Sequence, residues 1–407
     1  MGSTTRLEIN LRGKEHMNVE DRPERSGPLS DLLVVDLTHV LNGPYATMML
    51  ADQGARVIKI EPPDGDDARA FAPLGDTNGT YFNSINRGKE SIVLNLKDET
   101  DRAVFLAMID RADILTENYR PGTMERLGFS YEVLRERNPR LIYGSSSGFG
   151  QTGPLSSFPA YDSIIQAMSG LMTITGWPDG PPTRTGTSLA DLLGGLFFYA
   201  ALSTALHARE RTGEGTHVDV AMFDATVAFL EQGLVEYLGT GRTPHRVGNR
   251  HPFIAPFDVF ETSDGHVTIC CGNNHLFELL CGVLGKPEMA TDHRFSTNEH
   301  REIYERELRE ELEEVLMTRP TEYWLEVIHD AGVPVGPILN VAEAAHHPQT
   351  AARNMIITAG ATRMAGTPIK LSTYEDVSVR PAAPSLDEHG PALRAEFAPP
   401  AHPDTTR

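Results

Sequence analysis

Short apolar runs alternate with stretches of helical spacing through the first third of this 407-residue chain. LLVVDL (32–37), RVIKIE (56–61), SIVLNL (91–96), DILTEN (113–118) and RLIYGSS (140–146) have the length and β-branched content of strands. Between them, GPYATMMLADQGA (43–55) and DETDRAVFLAMIDRA (98–112) repeat apolar residues at i, i+3 and i+4, and a short helix is predicted near TMERLG (123–128). Strands alternating with helices predict an α/β fold, with a mostly parallel sheet covered on both faces.

From Tyr161 onward the pattern turns helical, with DSIIQAMSGLM (162–172) and a long apolar helix over 188–210. THVDVAM (216–222) reads as a strand and DATVAFLEQGLVEYLG (224–239) as one long helix. GTGRTPHRVGNRHPF (239–253) reads as a linker. A second unit follows, with strands at 257–261 and 266–271 and helices at 275–284, 298–316 and 320–331. Beyond Pro334 the chain is irregular and rich in proline.

Charge narrows the function classes. The formal net charge is −20 and the acids are spread along the chain, which argues against general nucleic-acid binding and against docking on an anionic membrane. An anionic ligand would need helix N-termini and a few placed Arg or Lys side chains. Cys270, Cys271 and Cys281 have neither a zinc spacing nor a disulfide framework, so no metal is expected and a reducing, cytoplasmic setting is. The first thirty residues hold no apolar signal core, and LLGGLFFYAALSTAL (192–206), bounded by Asp191 and His207, reads as a buried core helix.

Several motifs invite chemistry. GFGQTG (148–153) fits G-x-G-x-x-G, but Pro154 follows and no helix opens to receive a pyrophosphate, so a close-approach loop at Gly148, Phe149 and Gly150 is the better reading. Asp191, in SLADLLGG, is either a first-turn acid of its helix or a poorly solvated nucleophile with room left beside it by Gly194 and Gly195. His39 stands at a strand-end turn, where ligands of parallel sheets bind, as a candidate acid or base or a structural residue. ENYRPGTMERLG (117–128) sets Arg120 and Arg126 beside a helix start suited to phosphate, or paired with Glu117 and Glu125 on the surface. Lys89 and Lys97 flank a strand and are in reach of phosphates or simply solvated. The basic run Arg242, His245, Arg246, Arg250 and His251 would attract an anionic acid or pair with acids across an interface.

Taken in order, these segments resemble the class III, formyl-CoA transferase-like, CoA-transferases, from about Leu29 to about Ala383. The resemblance rests on VVDLTHVLNGPYATMMLADQGARVIKIEPPDGD (34–66), FNSINRGKESIVLNLK (82–97), ADILTENYRPGTMERLGFSYEVLRERNPRLIYGSSSGFGQTGP (112–154), YDSIIQAMSGLMTITG (161–176), TGWPDGPPTRTGTSLADLLGG (175–195), RTGEGTHVDVAMFDA (211–225) and AGVPVGPI (331–338). It implies a doubly wound, Rossmann-like large domain built from both chain ends and a smaller α+β domain, in an interlocked homodimer. The implied divisions are a polar extension at 1–28, the large domain at 29–210, a linker at 211–249, the small domain at 250–335 and a C-terminal segment at 336–407 that returns to the large domain.

The resemblance further implies Asp191 as the catalytic nucleophile. It implies coenzyme A contacts at Val40, Leu41, Asn42, Leu94, Lys97, Asn118, Tyr119, Arg120 and Arg126, and a substrate loop at 148–150 near Tyr161 and His39. Coenzyme A and its thioesters would be substrates, with no permanently bound cofactor. Pro62 stands where oxalate-using members have Arg, Ser147 where they have Lys, and GNRHPF (248–253) where they have a tetraglycine lid. The related α-methylacyl-CoA racemases move a proton with a His–Asp pair; the histidine's place here is Tyr161, whose ordinary pKa near 10 suits that chemistry poorly. The transferase branch is therefore expected, with CoA passing to a free acid, a small dicarboxylate, by way of an aspartyl anhydride and an aspartyl-CoA thioester.

Overall fold

The computed structural model describes residues 26–71 and 79–398, so the expected polar extension lies almost wholly outside the described residues. Six strands form the central sheet: β1 (Leu33–Asp36), β2 (Arg56–Glu61), β3 (Glu90–Val93), β4 (Ile114–Glu117), β5 (Ile142–Ser147) and β6 (His217–Ala221). All are parallel, in the order β3-β2-β1-β4-β5-β6. Between them run α1 (Asn42–Asp52), α2 (Thr80–Asn86), α3 (Glu99–Ile109), α4 (Thr123–Arg126) and α5 (Tyr131–Arg137). After β5 come α6 (Asp162–Met168), α7 (Leu171–Ile174) and α8 (Leu189–Thr212), which leads into β6.

The strands are continuous apolar runs because both faces are covered. On β1, Val35 packs with Phe105, Met108 and Ile109 of α3, while Val34 packs with Ala46 and Leu50 of α1 and Phe198 and Leu202 of α8. Gly144 lets α8 press on β5, since a Cβ there would lie 2.7 Å from the Phe198 ring. The Asp98 carboxylate starts α3 by accepting the N–H groups of Thr100 and Asp101. Only one side of α8 is covered in this way: Leu196 and Phe197 are exposed, so it is not the fully buried helix expected. Its length and composition alone would allow it to cross a membrane.

The chain divides into two compact units. The sheet unit holds the residues up to Tyr161, Ala190–Ala225 and Asn354 onward; the other holds Asp162–Leu189 and Thr226–Arg353. Residues 162–189, expected in the large domain, therefore belong with the second unit, where Arg246 ties 173–180 by donating to the carbonyls of Thr173, Trp177 and Gly180. In that unit the expected long helix is split into α9 (Met222–Phe229), which begins in the sheet unit, and α10 (Gln232–Thr240). Glu231, in a left-handed conformation (φ 42°), interrupts an apolar pattern that continues across the break.

The second unit's own sheet is antiparallel: β7 (Phe257–Glu261), β8 (His266–Cys270) and β9 (Val335–Pro337), in the order β7-β8-β9. Its core joins them to α11 (Asn274–Val283), α13 (Glu305–Leu316) and α14 (Thr321–Asp330) through Phe277, Leu312, Trp324 and Ile328, with α12 (Asn298–Ile303) just ahead of α13. The helix expected over 298–316 breaks at Tyr304 into α12 and α13. Nor is the chain beyond Pro334 irregular. Besides β9 it forms α15 (Val341–His346), α16 (Pro348–Ala352), the hairpin β10 (Ile356–Ala359) and β11 (Thr362–Ala365), β12 (Val379–Arg380) parallel to β10, and α17 (Gly390–Glu396).

The last helix is tied to the sheet. Arg56 on β2 donates to Glu90 (2.9 and 3.0 Å) and to Glu396 on α17 (2.7 and 2.8 Å), and Leu393 and Phe397 join the α3-side core. Arg56→Met leaves two largely buried carboxylates facing each other. It should cost about 3–5 kcal/mol in urea unfolding. Arg111→Met, which loses an exposed guanidinium 3.3 Å from Glu396, should cost about 1 kcal/mol or less in the same measurement.

Candidate functional site

The strand order reverses between β1 and β4: β2 and β3 lie to one side, β5 and β6 to the other. The crevice beyond the carboxyl ends of two such strands is where open α/β sheets bind ligands. Here it is formed by the loop 37–41 after β1 and by 118–120 after β4.

Buried charge shapes the first loop. Asp36 closes β1 and pairs with Lys89 (3.0 Å), both side chains fully enclosed. Burial alone would push the Asp36 carboxyl up, but Lys89, Lys59 and the Thr38 and Thr47 hydroxyls overcome it and hold it at about 2. One strand over, Lys59 pairs with Asp66 (2.8 Å) and donates to the Thr38 carbonyl (2.6 Å). Asp66 in turn accepts the Val40 N–H (3.1 Å). Lys89, a candidate phosphate contact, is therefore committed inside the fold.

Val40 has φ 65°, a left-handed conformation that is costly for a β-branched residue and that persists only where the surroundings impose it. Asn118 supplies the other half of that restraint. Its side chain accepts the His39 N–H (2.9 Å) and donates to the His39 carbonyl (2.8 Å) and to Asn42 Oδ1 (2.9 Å), so the ends of β1 and β4 are clasped. The His39 ring stacks on Tyr119, centroids 5.5 Å apart, and its enclosed Nδ1 meets no protein partner. Burial lowers its pKa, with Asp66 and Asn118 only partly opposing, so the imidazole is neutral at pH 7.

Asn42 begins α1 and donates to Ser146 of β5 (3.2 Å). Against this helix start lies Gly195 of α8: a Cβ there would sit 2.5 Å from the Asn42 carbonyl oxygen and 3.1 Å from the Tyr45 ring. Asp191 is four residues earlier on α8, hence on the same helix face, and is half-buried in the first turn. The start of α1 is the positive end of a helix dipole, which favours developing negative charge, although Pro44 has no N–H and that of Gly43 is held by Asn42 Oδ1.

Leu94, an expected coenzyme A contact, is buried in the core just after β3 and donates its N–H to the Glu61 carbonyl; Lys97 beyond it is exposed. Arg120 is exposed beside the clasp, and Arg126 is exposed on α4 and donates to Thr123. Beyond β5, the Gly150 N–H reaches Ser147 Oγ (2.9 Å), the Gly148 carbonyl accepts the Phe223 N–H (3.0 Å), and the Phe149 ring leans on Phe223. Tyr161 is 71% exposed. Little of the basic run is left for a ligand: Arg246 is spent on three carbonyls, Arg242 pairs with Glu236, and His251 stacks on Phe257. Burial pushes the Cys271 and Cys281 thiols up to about 12, away from thiolate chemistry.

A cavity of about 50 Å³ lies between β4–β6 and the segment 120–132, lined by Glu117, Arg120, Glu132, Ser145, Gln151 and His217. Glu117 is buried, not a surface ion-pair partner as its sequence setting allowed. Its carboxylate accepts the Tyr119 N–H (2.8 Å), and Ser145 Oγ lies 2.9 Å from His217 Nε2. Burial, with help from Glu125 and Asp219, pushes Glu117 up to about 7 against the pull of Ser145 and the Tyr119 N–H. A raised carboxyl stabilises the fold fully below its unfolded value near 4.5 and loses that contribution as pH rises through about 7. Glu117→Gln keeps the acceptor for Tyr119 without the charge. Its melting temperature should gain on that of the unaltered protein between pH 4.5 and pH 8, and parallel melting curves would disprove the assignment.

The sequence matches CoA-transferase family III over residues 29–390. It is 60% identical to an acetyl-CoA:oxalate CoA-transferase of Acetobacter aceti, covering 92% of this chain and 97% of that protein. It is 42% identical to a succinyl-CoA:mesaconate CoA-transferase of Haloarcula hispanica, covering 91% and 96%. Among solved structures, a CAIB/BAIF family protein from Brucella suis superposes with a TM-score of 0.82 at 40% identity, covering 91% and 99%. The crevice at the sheet's reversal, with an aspartate opposite a helix start, thus lies in a chain that belongs to CoA-transferase family III.

Proposed function

We propose that this chain moves coenzyme A from an acyl-CoA to a small dicarboxylic acid through covalent intermediates on Asp191. The observation that carries the reading is the packing of Gly195 on Asn42, which sets the Asp191 face of α8 beside the N-terminus of α1. A thioester carbonyl held there would meet a carboxylate nucleophile and the positive end of the α1 dipole, which favours charge on the oxyanion.

An Asp191 oxygen attacks the thioester carbonyl, the C–S bond breaks, and the CoA thiolate leaves a mixed anhydride. The thiolate attacks the aspartyl carbonyl of that anhydride, releasing the donor acid as its carboxylate and leaving an aspartyl-CoA thioester. The acceptor carboxylate attacks this thioester and expels the thiolate again. Attack of the thiolate on the acceptor's carbonyl forms the new acyl-CoA and restores the Asp191 carboxylate. No proton is gained or lost over the cycle, which fits a neutral His39 and a site with no thiolate-forming cysteine of its own.

The class of acceptor rests on the relatives, whose names include oxalate and mesaconate, both dicarboxylates. Pro62 and Ser147 stand in for basic residues of other oxalate users, but the 60% identity favours oxalate as the first acid to test. Exposed apolar side chains support a homodimer: no residue of α10 is buried, and Val235 and Leu238 stand open to solvent. Light scattering should give twice the chain mass, and a monomeric mass at micromolar concentration would overturn that assembly.

Asp191→Asn should lower exchange between acetyl-CoA or succinyl-CoA and an acid by at least about 10³-fold while CoA binding persists. Hydroxylamine added during turnover should leave a hydroxamate at Asp191, found by peptide mass spectrometry. With oxalate, succinate, mesaconate and acetate offered as acceptors, transfer only to acetate would refute the dicarboxylate assignment.

A further inference from the structure

Gln166 is a fully buried amide on α6, at a place where Leu or Met would fill the same space without a polar group to satisfy. Among the described residues, its side-chain hydrogen bonds go to Asp162 and to the segment just ahead of α8. Its Oε1 accepts the Thr185 N–H (3.0 Å) and lies 3.3 Å from Thr185 Oγ1. Its Nε2 donates to Asp162 Oδ2 (2.8 Å) and to the Thr187 carbonyl (3.4 Å).

That carbonyl is unusual. Besides Gln166, it accepts from Leu189 N–H (2.9 Å), Thr185 Oγ1 (2.9 Å) and Arg184 Nη2 (3.3 Å). A carbonyl oxygen has two lone pairs, yet four donors converge on this one. It stands two residues before α8 begins at Leu189 and four before Asp191. First turns fray, and the preceding segment, TGWPDGPPTRTGTS (175–188), is rich in glycine and proline and has no helix of its own to steady it. Without an anchor, the third residue of α8 would inherit that freedom.

We propose that Gln166 is a positioning residue for the reaction, fixing the Thr187 carbonyl and through it the first turn of α8 that carries Asp191. The inference rests on Asp191 being the acylated carboxylate. Gln166 touches no reacting atom; it acts through Thr187. Displacing a nucleophile by about 1 Å costs on the order of 10²-fold in rate, and that is the size of effect at stake.

The test uses the full-length protein with acetyl-CoA or succinyl-CoA, whichever the unaltered enzyme consumes. The rate of hydroxamate formation at Asp191 is followed by rapid quench and mass spectrometry. Gln166→Met removes every polar contact; Gln166→Glu keeps an acceptor for Thr185 but has no donor for the Thr187 carbonyl. Both should label Asp191 about 10- to 100-fold more slowly per active site, with KM for acyl-CoA within about threefold. A role confined to stability would lower the melting temperature and the burst amplitude and leave the rate per active site alone, which would overturn the inference. So would labelling at the original rate in either folded variant, and if the Met variant does not fold, the Glu variant decides. Absence of any label on the unaltered enzyme's Asp191 would instead remove the nucleophile reading itself.

Discussion

Two buried ion pairs, Asp36–Lys89 and Lys59–Asp66, set the geometry on which this site depends. Charges taken out of water must be paired and hydrogen-bonded; besides their counter-ions, Asp36, Lys59 and Asp66 are tied to the loop after β1, and Lys89 to Pro44 and Thr47 of α1. Moving the loop would therefore unsolvate a charge. That coupling lets Val40 stay left-handed without a glycine and fixes the residues that open α1.

Asp191, the proposed nucleophile, is set from a different direction. The approach of α8 to α1 is limited by backbone, not by side chains, because Gly195 meets the Asn42 carbonyl directly. Backbone-limited contacts do not slide with rotamer changes. The helix start that would face an oxyanion and the helix face that carries Asp191 are thus registered to each other by the chain itself. For a family III CoA-transferase, whose thioester must be opened and re-formed, such a pre-set dipole needs no reorganisation as charge develops.

Much of the sheet unit was legible in the sequence. Runs such as RVIKIE and LLVVDL are buried on both faces, so they read as continuous apolar strands. His39, Asn118 and Asp191 stand at a strand end, a strand end and a helix start, where residue type and family resemblance agree. What stayed hidden were partners far apart in the chain. Lys59 looks like an interruption of its strand and Asp66 like a turn residue of PPDGD; only the fold pairs them. Glu117 looked solvated because its neighbours Arg120 and Glu125 are charged, yet the strand carries it inward. The break at Glu231 is marked only by Gly233 two residues on, inside a run that keeps its helical spacing, and the strands after Pro334 are two to four residues long, too short for periodicity to register.

The Arg56 clasp with Glu396 has a bearing on how such a chain is made. A ribosome finishes β1 to β6 first, with residues 162–189 of the second unit made on the way, then residues 226–353 of that unit, and only afterwards residues 354–398. Until α17 emerges, Arg56 and Glu90 lack their third member and the core under β3 lacks Leu393 and Phe397. The nascent sheet must wait with an unfinished margin while residues 226–353 are synthesised, which makes that margin the place where a chaperone or a premature partner strand has longest to act.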